Sequence, residues 1–349
     1  NKSNRFMNRE TAENLKCTFL NKGDVLIARM PDPIGRACLF PFDESGKYVT
    51  VVDVGILRII DKYDSKYVMY GINSPMIRRQ IEGQVTGTTR LRITKKKLGE
   101  LKIPLPPLDQ QKKIAAILDA ADAYRQKTKA LIEKYDELTQ SLFLDMFGDP
   151  GKKDYVHKEY SMDDIAHKIT DGDHATPKRT DSGYKLLSCR NVKQGYIDFK
   201  PGVDYVGEDE FNRMVKRCNP VRGDILISCS GTIGRTTSVK INEPFVLVRS
   251  AALIKPNHTL VNSLFLEKYL QTPYMQALMK RKANASSQAN LFTGPIKSLP
   301  VLLPELELQK GFAERVQAIE EQKAQAQASL AQAEDLFNSL LQRAFKGEL

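Results

Sequence analysis

The sequence predicts an α+β protein, a pseudo-twofold tandem repeat in which two mixed α/β domains alternate with two long helices. The first observation is that residues 103–148 and 301–347 share one pattern, a proline-bounded extended run followed by a long stretch without proline. The second observation is that short motifs of the first half return in the second half. The chain therefore divides into a first domain at 1–106, a helix at 107–150, a second domain at 151–304 and a helix at 305–349.

The two proline-free stretches are predicted to be single helices. Helices accept proline only at their start, and none follows Asp109 or Glu307 before the stretches end at Gly148 and Gly347. Glycine at those positions suits a left-handed cap after the last helical turn. A helix from Asp109 to Phe147, or from Glu307 to Phe345, would extend roughly 58 Å at about 1.5 Å per residue. Such a helix is far longer than a typical globular helix.

Both helices carry apolar or small residues at alternating steps of three and four, which is the spacing of a heptad seam. The predicted seam residues are Ile114, Ile117, Ala121, Tyr124, Thr128, Leu131, Tyr135, Leu138 and Leu142 in the first helix, and Phe312, Val316, Ile319, Ala326, Leu330, Ala333, Phe337 and Leu340 in the second. Lys323 interrupts the second series. Because a heptad stripe needs a partner, we expect the helices to pack on each other as an intramolecular coiled coil. The alternatives are that each helix packs on its own domain or on a second chain.

The two domains share motifs at matching places. Gly-Asp-Val-Leu-Ile at 23–27 returns as Gly-Asp-Ile-Leu-Ile at 223–227, and both predict a turn followed by a buried strand. Ile-Gly-Arg occurs in both domains, and a Ser-Pro or Thr-Pro pair punctuates a predicted helix in each. Residues 155–200 have no counterpart in the first domain, and the chain begins with Asn rather than Met. We therefore expect that the first domain is truncated or that a further segment precedes it.

Composition and charge indicate an acidic partner. The formal net charge is +11 and the pI is near 9.2, and nucleic acid is the commonest large polyanion in the cytoplasm. The five cysteines are odd in number and scattered, which argues against a disulfide framework and against paired zinc-ligand spacing and favours a reducing cytoplasm. No run of about 18 apolar residues predicts a membrane span.

Motifs for catalysis are scarce in this sequence. It has no phosphate-binding loop of the Gly-x-x-x-x-Gly-Lys-Ser/Thr type and no Asn/Asp-Pro-Pro-aromatic tetrad of an amino-methyltransferase. Asp32, Asp43 and Lys47 offer acids and a lysine, but their spacing departs from the acid-x-lysine pair of nucleases. The four histidines are too spread to suggest a metal site. We therefore expect a binding protein without catalytic, cofactor or metal residues, and a nuclease is the alternative.

Two polar, basic segments occupy matching places in the two halves. Small residues and arginines can approach a phosphate backbone, guanidinium groups pair with guanine edges, and amides suit adenine. The candidate DNA-binding residues are Arg78, Arg79, Thr86, Thr88, Thr89, Arg90 and Arg92 in the first half, and Lys280, Arg281, Lys282, Ser287, Gln288 and Asn290 in the second. A charge run is usually only a solvated face, but recurrence in both halves favours DNA contact.

Several motifs together strongly resemble the specificity (S) subunit of Type I restriction-modification systems. They are the Leu-Pro-Pro-Leu-Asp-Gln-Gln-Lys-Lys-Ile-Ala run at 105–115, its counterpart at 303–313, the paired Gly-Asp-Val/Ile-Leu-Ile and Ile-Gly-Arg motifs, Asp-Gly-Asp-His-Ala-Thr-Pro at 171–177 and Arg-Asn-Val-Lys-Gln-Gly-Tyr-Ile-Asp at 190–198. The resemblance covers nearly the whole chain, and it is the combination of motifs that is specific.

The resemblance implies two target recognition domains, each reading one half of a split, asymmetric site on double-stranded DNA. It further implies that the two helices form an antiparallel coiled coil that sets the gap between half-sites and docks two methyltransferase (modification) subunits, which restriction endonuclease/translocase subunits join. S-adenosylmethionine, ATP and magnesium would belong to those partners, so no cofactor and no enzyme activity are expected in this chain. By position, it adds these candidates for DNA binding: His174, Thr176, Lys178, Arg179, Arg190 and Asn191.

Three alternative functions stay open beside the nuclease. The chain could be a truncated or spare specificity subunit, because the first domain lacks a counterpart of the loop at 170–179. It could serve a related methylase-nuclease system without a separate translocating motor. It could also be a structural coiled-coil adaptor without sequence-specific DNA binding.

Overall fold

The computed structural model describes residues 6–30, 33–44, 46–50, 53–85, 91–152, 157–200, 202–284 and 289–349. The first half contains α1 (Arg9–Asn14), β1 (Val25–Ala28), β2 (Ala37–Leu39), β3 (Val54–Leu57), α2 (Ser65–Asn73), α3 (Pro75–Glu82), α4 (Lys95–Gly99) and α5 (Leu108–Phe147). The second half contains β4 (Lys158–Ser161), β5 (Ala166–Asp171), β6 (Arg179–Thr180), β7 (Tyr184–Leu187), β8 (Asp204–Val206), α6 (Glu208–Val215), β9 (Ile225–Ser228), β10 (Thr236–Ser238), β11 (Phe245–Leu247), β12 (Ala251–Pro256), α7 (Ser263–Gln271), α8 (Pro273–Asn284), α9 (Thr293–Lys297), β13 (Pro300–Leu303) and α10 (Leu306–Lys346).

The chain forms two compact units. Unit 1 comprises residues 1–132 and 325–349, and unit 2 comprises residues 133–324. Each unit therefore holds one α/β domain together with parts of both long helices, α5 and α10, whereas the boundaries expected from the sequence follow the helix ends. Gly148 and Gly347 follow the two helices with φ of 81° and 80°, the left-handed conformation that glycine adopts without strain.

Unit 1 is built on a three-stranded antiparallel sheet in the order β2-β1-β3. Leu26 of the central strand lies opposite Cys38 on one side and Ile56 on the other. The sheet and helices α2 and α3 share one apolar cluster. Ser74 caps α3 and Pro75 occupies its first turn, so the Ser-Pro pair separates two helices because proline is accepted at a helix start.

Unit 2 repeats this plan and adds to it. The order β10-β9-β12 matches β2-β1-β3, and β5 extends the sheet as a fourth antiparallel strand. A second four-stranded sheet, β11-β7-β8-β6, contains the parallel pair β11 and β7, and β13 pairs with β4. Among the residues that the structure describes in unit 1, no strand corresponds to β5 or to the second sheet. Of the extra strands, β5, β6 and β7 lie within residues 155–200, for which the sequence offers no counterpart in the first domain.

Within unit 1 the two long helices pack antiparallel. The guanidinium carbon of Arg125 lies 4.2 Å from the ring centroid of Phe337, and Lys129 Nζ lies 3.0 Å from a carboxylate oxygen of Glu334. As the residue number rises on α5 it falls on α10, which confirms the antiparallel direction. An apolar cluster that includes Leu118 joins these helices to α2.

Within unit 2 the other parts of the same helices also pack antiparallel. The rings of Phe143 and Phe312 lie 5.6 Å apart in an edge-to-face arrangement, and Lys323 forms an ion pair with Asp136. The order of these pairs again runs in opposite senses on α5 and α10. Lys323, which interrupts the apolar series of α10, therefore fills its place in the seam with an ion pair.

The seam on α5 differs from the predicted one at alternate positions. Ile117 and Leu131 are each 43% exposed, Leu138 is 50% exposed and Tyr124 is 55% exposed, so these side chains do not lie in the helix interface. The residue that follows each of them is turned further inward: Leu118 and Thr139 are buried, and Arg125 and Ile132 are half-buried. The seam keeps the predicted heptad period. From Ile114 onward, however, its residues follow each other at steps of four and three residues instead of three and four.

Within unit 1 the shift of the α5 seam has a physical cause. The buried residues Ile114, Ala115 and Leu118 share one apolar cluster with side chains of α10 and with two aromatic side chains of α2, Tyr67 and Tyr70. A helix that packs on two neighbours buries a wider stripe than a two-helix seam requires. The remaining predicted positions agree with a seam: Ile114 and Thr128 are buried and Ala121, Tyr135 and Leu142 half-buried on α5, whereas Phe312, Val316, Ala326, Ala333 and Phe337 are buried and Ile319, Leu330 and Leu340 half-buried on α10.

A buried glutamine recurs at the start of each long helix. In unit 2 the Gln309 side chain accepts the amide of Asn262 at 2.8 Å and donates to the carbonyl of Pro304 at 2.8 Å. In unit 1 the Gln111 side chain accepts the amide of Asp64 at 3.0 Å and donates to the carbonyl of Pro106 at 2.7 Å. Asn262 and Asp64 are the N-caps of α7 and α2. Each glutamine thus bonds its long helix to the corresponding helix of its own domain, which is α2 in unit 1 and α7 in unit 2.

Candidate nucleic-acid interface

Four loops meet at one end of the sheets of unit 2. They are residues 171–175, 188–191, 229–235 and 248–251, which follow β5, β7, β9 and β11, and we call them the loop cluster. Loops placed on a rigid sheet are the usual carriers of binding residues. The loop cluster contains several of the candidate DNA-binding residues, and their shared location depends on the fold rather than on sequence distance.

The turn between β11 and β12 is the centre of the loop cluster. The amide of Arg249 donates to the carbonyl of Asp173 at 3.0 Å. The amide of Cys189 donates to the hydroxyl of Ser250 at 3.1 Å, and the amide of Cys229 donates to the carbonyl of Ser250 at 2.8 Å. One turn is therefore hydrogen-bonded to all three of the other loops, which fixes its backbone.

Gly172 allows the first loop to approach this turn. A β-carbon at this position would lie 2.5 Å from the carbonyl carbon of Val248 and would overlap the carbonyl group of Leu247. Both obstacles are backbone atoms, so no side chain could move aside. The Asp-Gly-Asp motif therefore has glycine at its centre because two backbones meet there.

We expect Gly172→Ala to lower the free energy of unfolding of unit 2 by about 2 kcal/mol, because the added methyl group forces two paired backbones apart. Urea denaturation followed by far-ultraviolet circular dichroism measures the loss. Gly294 is a matched control, since a β-carbon there meets nothing within 4 Å. Gly294→Ala should change stability by less than about 0.5 kcal/mol. Equal stability of the two variants would contradict the assigned role of Gly172.

Arg217 forms an ion pair with Asp171 at the start of the loop at 171–175. Its guanidinium donates to one carboxylate oxygen of Asp171 at 2.6 Å, and the other oxygen lies 2.7 Å from His174 Nε2. Burial opposes ionisation of Asp171, but the hydrogen bonds from Arg217 and His174 outweigh burial and hold the pKa of this carboxyl below its ordinary value. Asp171 is therefore a carboxylate at neutral pH, and its charge balances that of Arg217.

Arg213 of α6 makes a second ion-pair group in the same region. Its guanidinium pairs with Asp173 and donates to Glu210 at 2.8 Å. Hydrogen bonds to Glu210 and Asp173 raise the pKa of Arg213 above its ordinary value, so the guanidinium stays charged. Glu210 also accepts the backbone amide of Lys178 at 3.1 Å. Arg213 and Arg217 therefore hold the loop that contains His174, and their charges are already balanced.

The structure leaves other candidates of this region in solvent. Thr176, Lys178 and Arg190 are exposed, which suits contact with a nucleic acid. Arg179 is exposed but donates from Nε to Asp204 at 2.9 Å. His174 is exposed and bonded to Asp171, so it orders the loop as well as facing solvent.

The side chain of Asn191 is engaged within its own loop, which makes Asn191 a weaker candidate for DNA contact. Its side chain is 9% exposed, its oxygen accepts the amide of Ser188 at 2.9 Å, and its nitrogen donates to the carbonyl of Asp198 at 3.0 Å. These bonds use the amide group that would have to read a base. Asn191 therefore shapes its own loop, because a short polar side chain readily bonds to nearby backbone.

The second basic segment lies partly in α8. Lys280 and Arg281 are exposed, and Lys282 donates to the hydroxyl of Ser298 at 3.0 Å. Asn290 is half-buried beside Leu291, whose amide donates to the carbonyl of Cys229 in the loop cluster. This contact brings the segment next to the loop cluster. The candidates Ser287 and Gln288 lie outside the described residues.

In unit 1 only part of the candidate segment is described. Arg79 is exposed, and Arg92 Nη2 lies 3.4 Å from Asp53 Oδ1, which makes an ion pair. Arg78 is half-buried and donates to the carbonyl of Ile34, so its guanidinium supports the Ile-Gly-Arg turn, which makes Arg78 a weaker candidate for DNA contact. The candidates Thr86, Thr88, Thr89 and Arg90 lie outside the described residues.

Two of the residues considered for a nuclease are engaged in ion pairs with other side chains. Asp43 pairs with Lys22 at 2.7 Å, and Lys47 pairs with Glu44 at 3.2 Å; Asp32 lies outside the described residues. In the described part of the chain, no group of three or more His, Cys, Asp or Glu side chains could hold a metal ion. Within the same residues, none of the helices has the length and apolar character that a membrane span requires.

Arg249 is a candidate that sequence reasoning missed. It is exposed at the tip of the turn between two buried strands, β11 and β12. An Arg-Ser pair between two apolar runs was the available signal, because such a break predicts a turn. Nothing in the sequence indicates that this turn meets three other loops.

Comparisons with known proteins agree on one family. A family model described as the Type I restriction modification DNA specificity domain matches residues 1–135 and 181–334. The chain is 26% identical over 317 residues to the Type I restriction enzyme EcoBI specificity subunit of Escherichia coli, covering 83% of this chain and 66% of that protein. It is 24% identical over 324 residues to the Type I restriction enzyme EcoKI specificity subunit of Escherichia coli strain K12, covering 84% of this chain and 68% of that protein. The chain thus spans about two thirds of the length of these relatives.

Solved structures show the same fold. The S subunit of a Type I restriction-modification system from M. genitalium aligns with a TM-score of 0.59 at 17% identity, over 94% of this chain and 84% of that one. A chain from a study of complex assembly and conformational transition of the type I R-M system aligns with a TM-score of 0.59 at 18% identity, over 95% of this chain and 84% of that one. The match of the family model over most of the sequence decides the family. The chain belongs to the family of Type I restriction modification DNA specificity domains.

Proposed function

We propose that this chain is the DNA-recognition subunit of a Type I restriction-modification complex, in which each unit reads one half of a split site on double-stranded DNA. The observation that carries the proposal is the repetition of one plan in two units. Each unit contains the same three-stranded order and the same buried glutamine at the start of a long helix. Two similar binding units in one chain suit a site that has two separate parts.

The net charge and the exposed cations support DNA as the ligand. The formal net charge is +11, and Lys178, Arg190, Arg249 and Arg281 are exposed in unit 2. Exposed cations supply the sequence-independent part of affinity through contacts to phosphates. Polar loops that meet on a rigid sheet can then supply the contacts to base edges.

We further propose that the pair of long helices sets the gap between half-sites and docks two methyltransferase subunits, which restriction endonuclease/translocase subunits join. The exposed apolar side chains Ile117, Tyr124, Leu131 and Leu138 support a docking role for α5, because a line of exposed apolar residues is typical of an interaction surface. The reactions and their S-adenosylmethionine, ATP and magnesium would belong to the partners, and this chain would have no catalytic role. The complex would act in the cytoplasm.

The proposal is tested by using the full chain as bait in its native cell. Co-purifying proteins are identified by mass spectrometry, and the purified complex is assayed for methyl transfer to DNA. We expect a stoichiometric methyltransferase and methyl transfer confined to one split sequence. A chain that purifies alone, or with proteins that do not transfer methyl groups, would favour the structural adaptor. DNA cleavage by the chain alone with magnesium would favour the nuclease.

A further inference from the structure

The cations around the loop cluster fall into two groups. Arg213 and Arg217 are bonded to the carboxylates of Asp173, Glu210 and Asp171. These arginines hold the 171–175 loop, and a nucleic acid could recruit them only by breaking ion pairs. Cations without such partners are therefore the better candidates for reading DNA.

Arg249 belongs to the second group. Its side chain is exposed, and no hydrogen bond or ion pair of its guanidinium is found among the residues that the structure describes. Its backbone, in contrast, is fixed: its amide donates to Asp173, and the following residue, Ser250, accepts hydrogen bonds from Cys189 and Cys229. An exposed guanidinium thus belongs to a turn whose backbone is hydrogen-bonded to all three of the other loops.

This combination has a chemical consequence. A guanidinium group can donate two parallel hydrogen bonds to O6 and N7 of guanine, and no other base offers this pair of acceptors. A fixed backbone lowers the entropy cost of placing that fork, whereas a phosphate contact needs no such precision. Lys178 and Arg281 are exposed outside the four loops of the loop cluster, and such cations suit phosphates.

We propose that Arg249 reads a guanine in the half-site bound by unit 2. This inference rests on the proposed function, because it requires that the chain read a split DNA site. The contact should be confined to one half-site, since Arg249 belongs to unit 2 alone.

The experiment uses the full chain with its co-purifying subunits and duplexes that carry the preferred split site, which is first obtained by selecting bound duplexes from a randomised pool. Equilibrium binding is measured for that duplex and for duplexes with each single base pair changed. We expect Arg249→Ala to weaken binding of the selected duplex between about 5-fold and 150-fold. The variant should also lose discrimination at one G·C pair in one half-site, with an almost unchanged salt dependence. Arg249→Gln should move the preference at that pair away from guanine, because an amide suits adenine.

Arg222 provides the matched control. It is exposed and precedes β9, at the end of that strand opposite to Cys229 and the loop cluster. Arg222→Ala should bind every duplex like the wild type. Undiminished discrimination by Arg249→Gln and Arg249→Ala would overturn the inference and leave the proposed function intact. A uniform loss on all duplexes, with the salt slope reduced by about one, would identify a phosphate contact instead and also overturn it. Failure of the wild-type complex to prefer any duplex would count against the proposed function itself.

Discussion

Replacing Gln309 by alanine is expected to lower the free energy of unfolding of unit 2 by about 3 kcal/mol or more. The side chain is fully buried. It accepts the amide of Asn262 at 2.8 Å and donates to the carbonyls of Pro304 at 2.8 Å and Leu260 at 3.1 Å. The substitution leaves these three backbone groups without their partner, the Pro304 contact fully buried and the other two partly buried. An unsatisfied buried group costs about 1–3 kcal/mol.

Hydrogen exchange and urea denaturation both measure the effect of Gln309→Ala. The amide of Asn262 should exchange faster in the variant, because its acceptor is gone. Gln317 on α10 is the matched control, since it is exposed and its side-chain nitrogen donates to Glu321 of the same helix at 3.0 Å. Gln317→Ala should change stability by less than about 0.5 kcal/mol. Equal free energies of unfolding for the two variants would show that the hydrogen bonds of Gln309 do not stabilise unit 2.

Raising the salt concentration from about 50 to 200 mM is expected to weaken binding of duplex DNA about a thousandfold. Each phosphate neutralised by lysine or arginine releases counterions, and the favourable entropy of that release falls as salt rises. The net charge of +11 and the exposed cations of unit 2 supply the contacts. Equilibrium titrations at several salt concentrations give the slope of log K against log salt.

Two variants connect the salt dependence to particular side chains. Lys280→Ala combined with Arg281→Ala should make the slope shallower by about two, because each removed phosphate contact contributes about one. Lys310 is a suitable control, since it lies on α10 and pairs with Glu307 at 2.7 Å; Lys310→Ala should leave the slope unchanged. A flat salt profile for the wild type would exclude these basic segments as the contact surface.

The repeated architecture could be predicted from sequence because it depends on local signals. Proline and glycine mark the ends of α5 and α10, and a heptad period fixes their need for a partner. The exact seam on α5 could not be predicted, since Ile117 and Leu118 are adjacent apolar residues and either fits a heptad. Leu118 belongs to the buried apolar cluster that also contains Tyr67 of α2, and membership of that cluster is not encoded in helical spacing.

The candidate site was predictable only in part. Basic and polar segments identified exposed residues such as Lys280 and Arg281. Composition could not tell which charges are balanced within the fold: Arg217 is bonded to Asp171, a residue far from it in sequence. Asn191 suited a base edge by its chemistry, yet its own loop uses its amide group. The importance of Arg249 follows from three loops meeting at its turn, which only the tertiary structure brings together.

Selection of bound duplexes from a randomised pool tests the central claim most directly. The full complex is incubated with the pool, bound DNA is recovered through several rounds, and the recovered duplexes are sequenced. Recognition of a split site by two similar units predicts two short conserved blocks separated by a gap of constant length and variable sequence. A single continuous block, or no enrichment of any sequence, would contradict the claim that each unit reads one half-site.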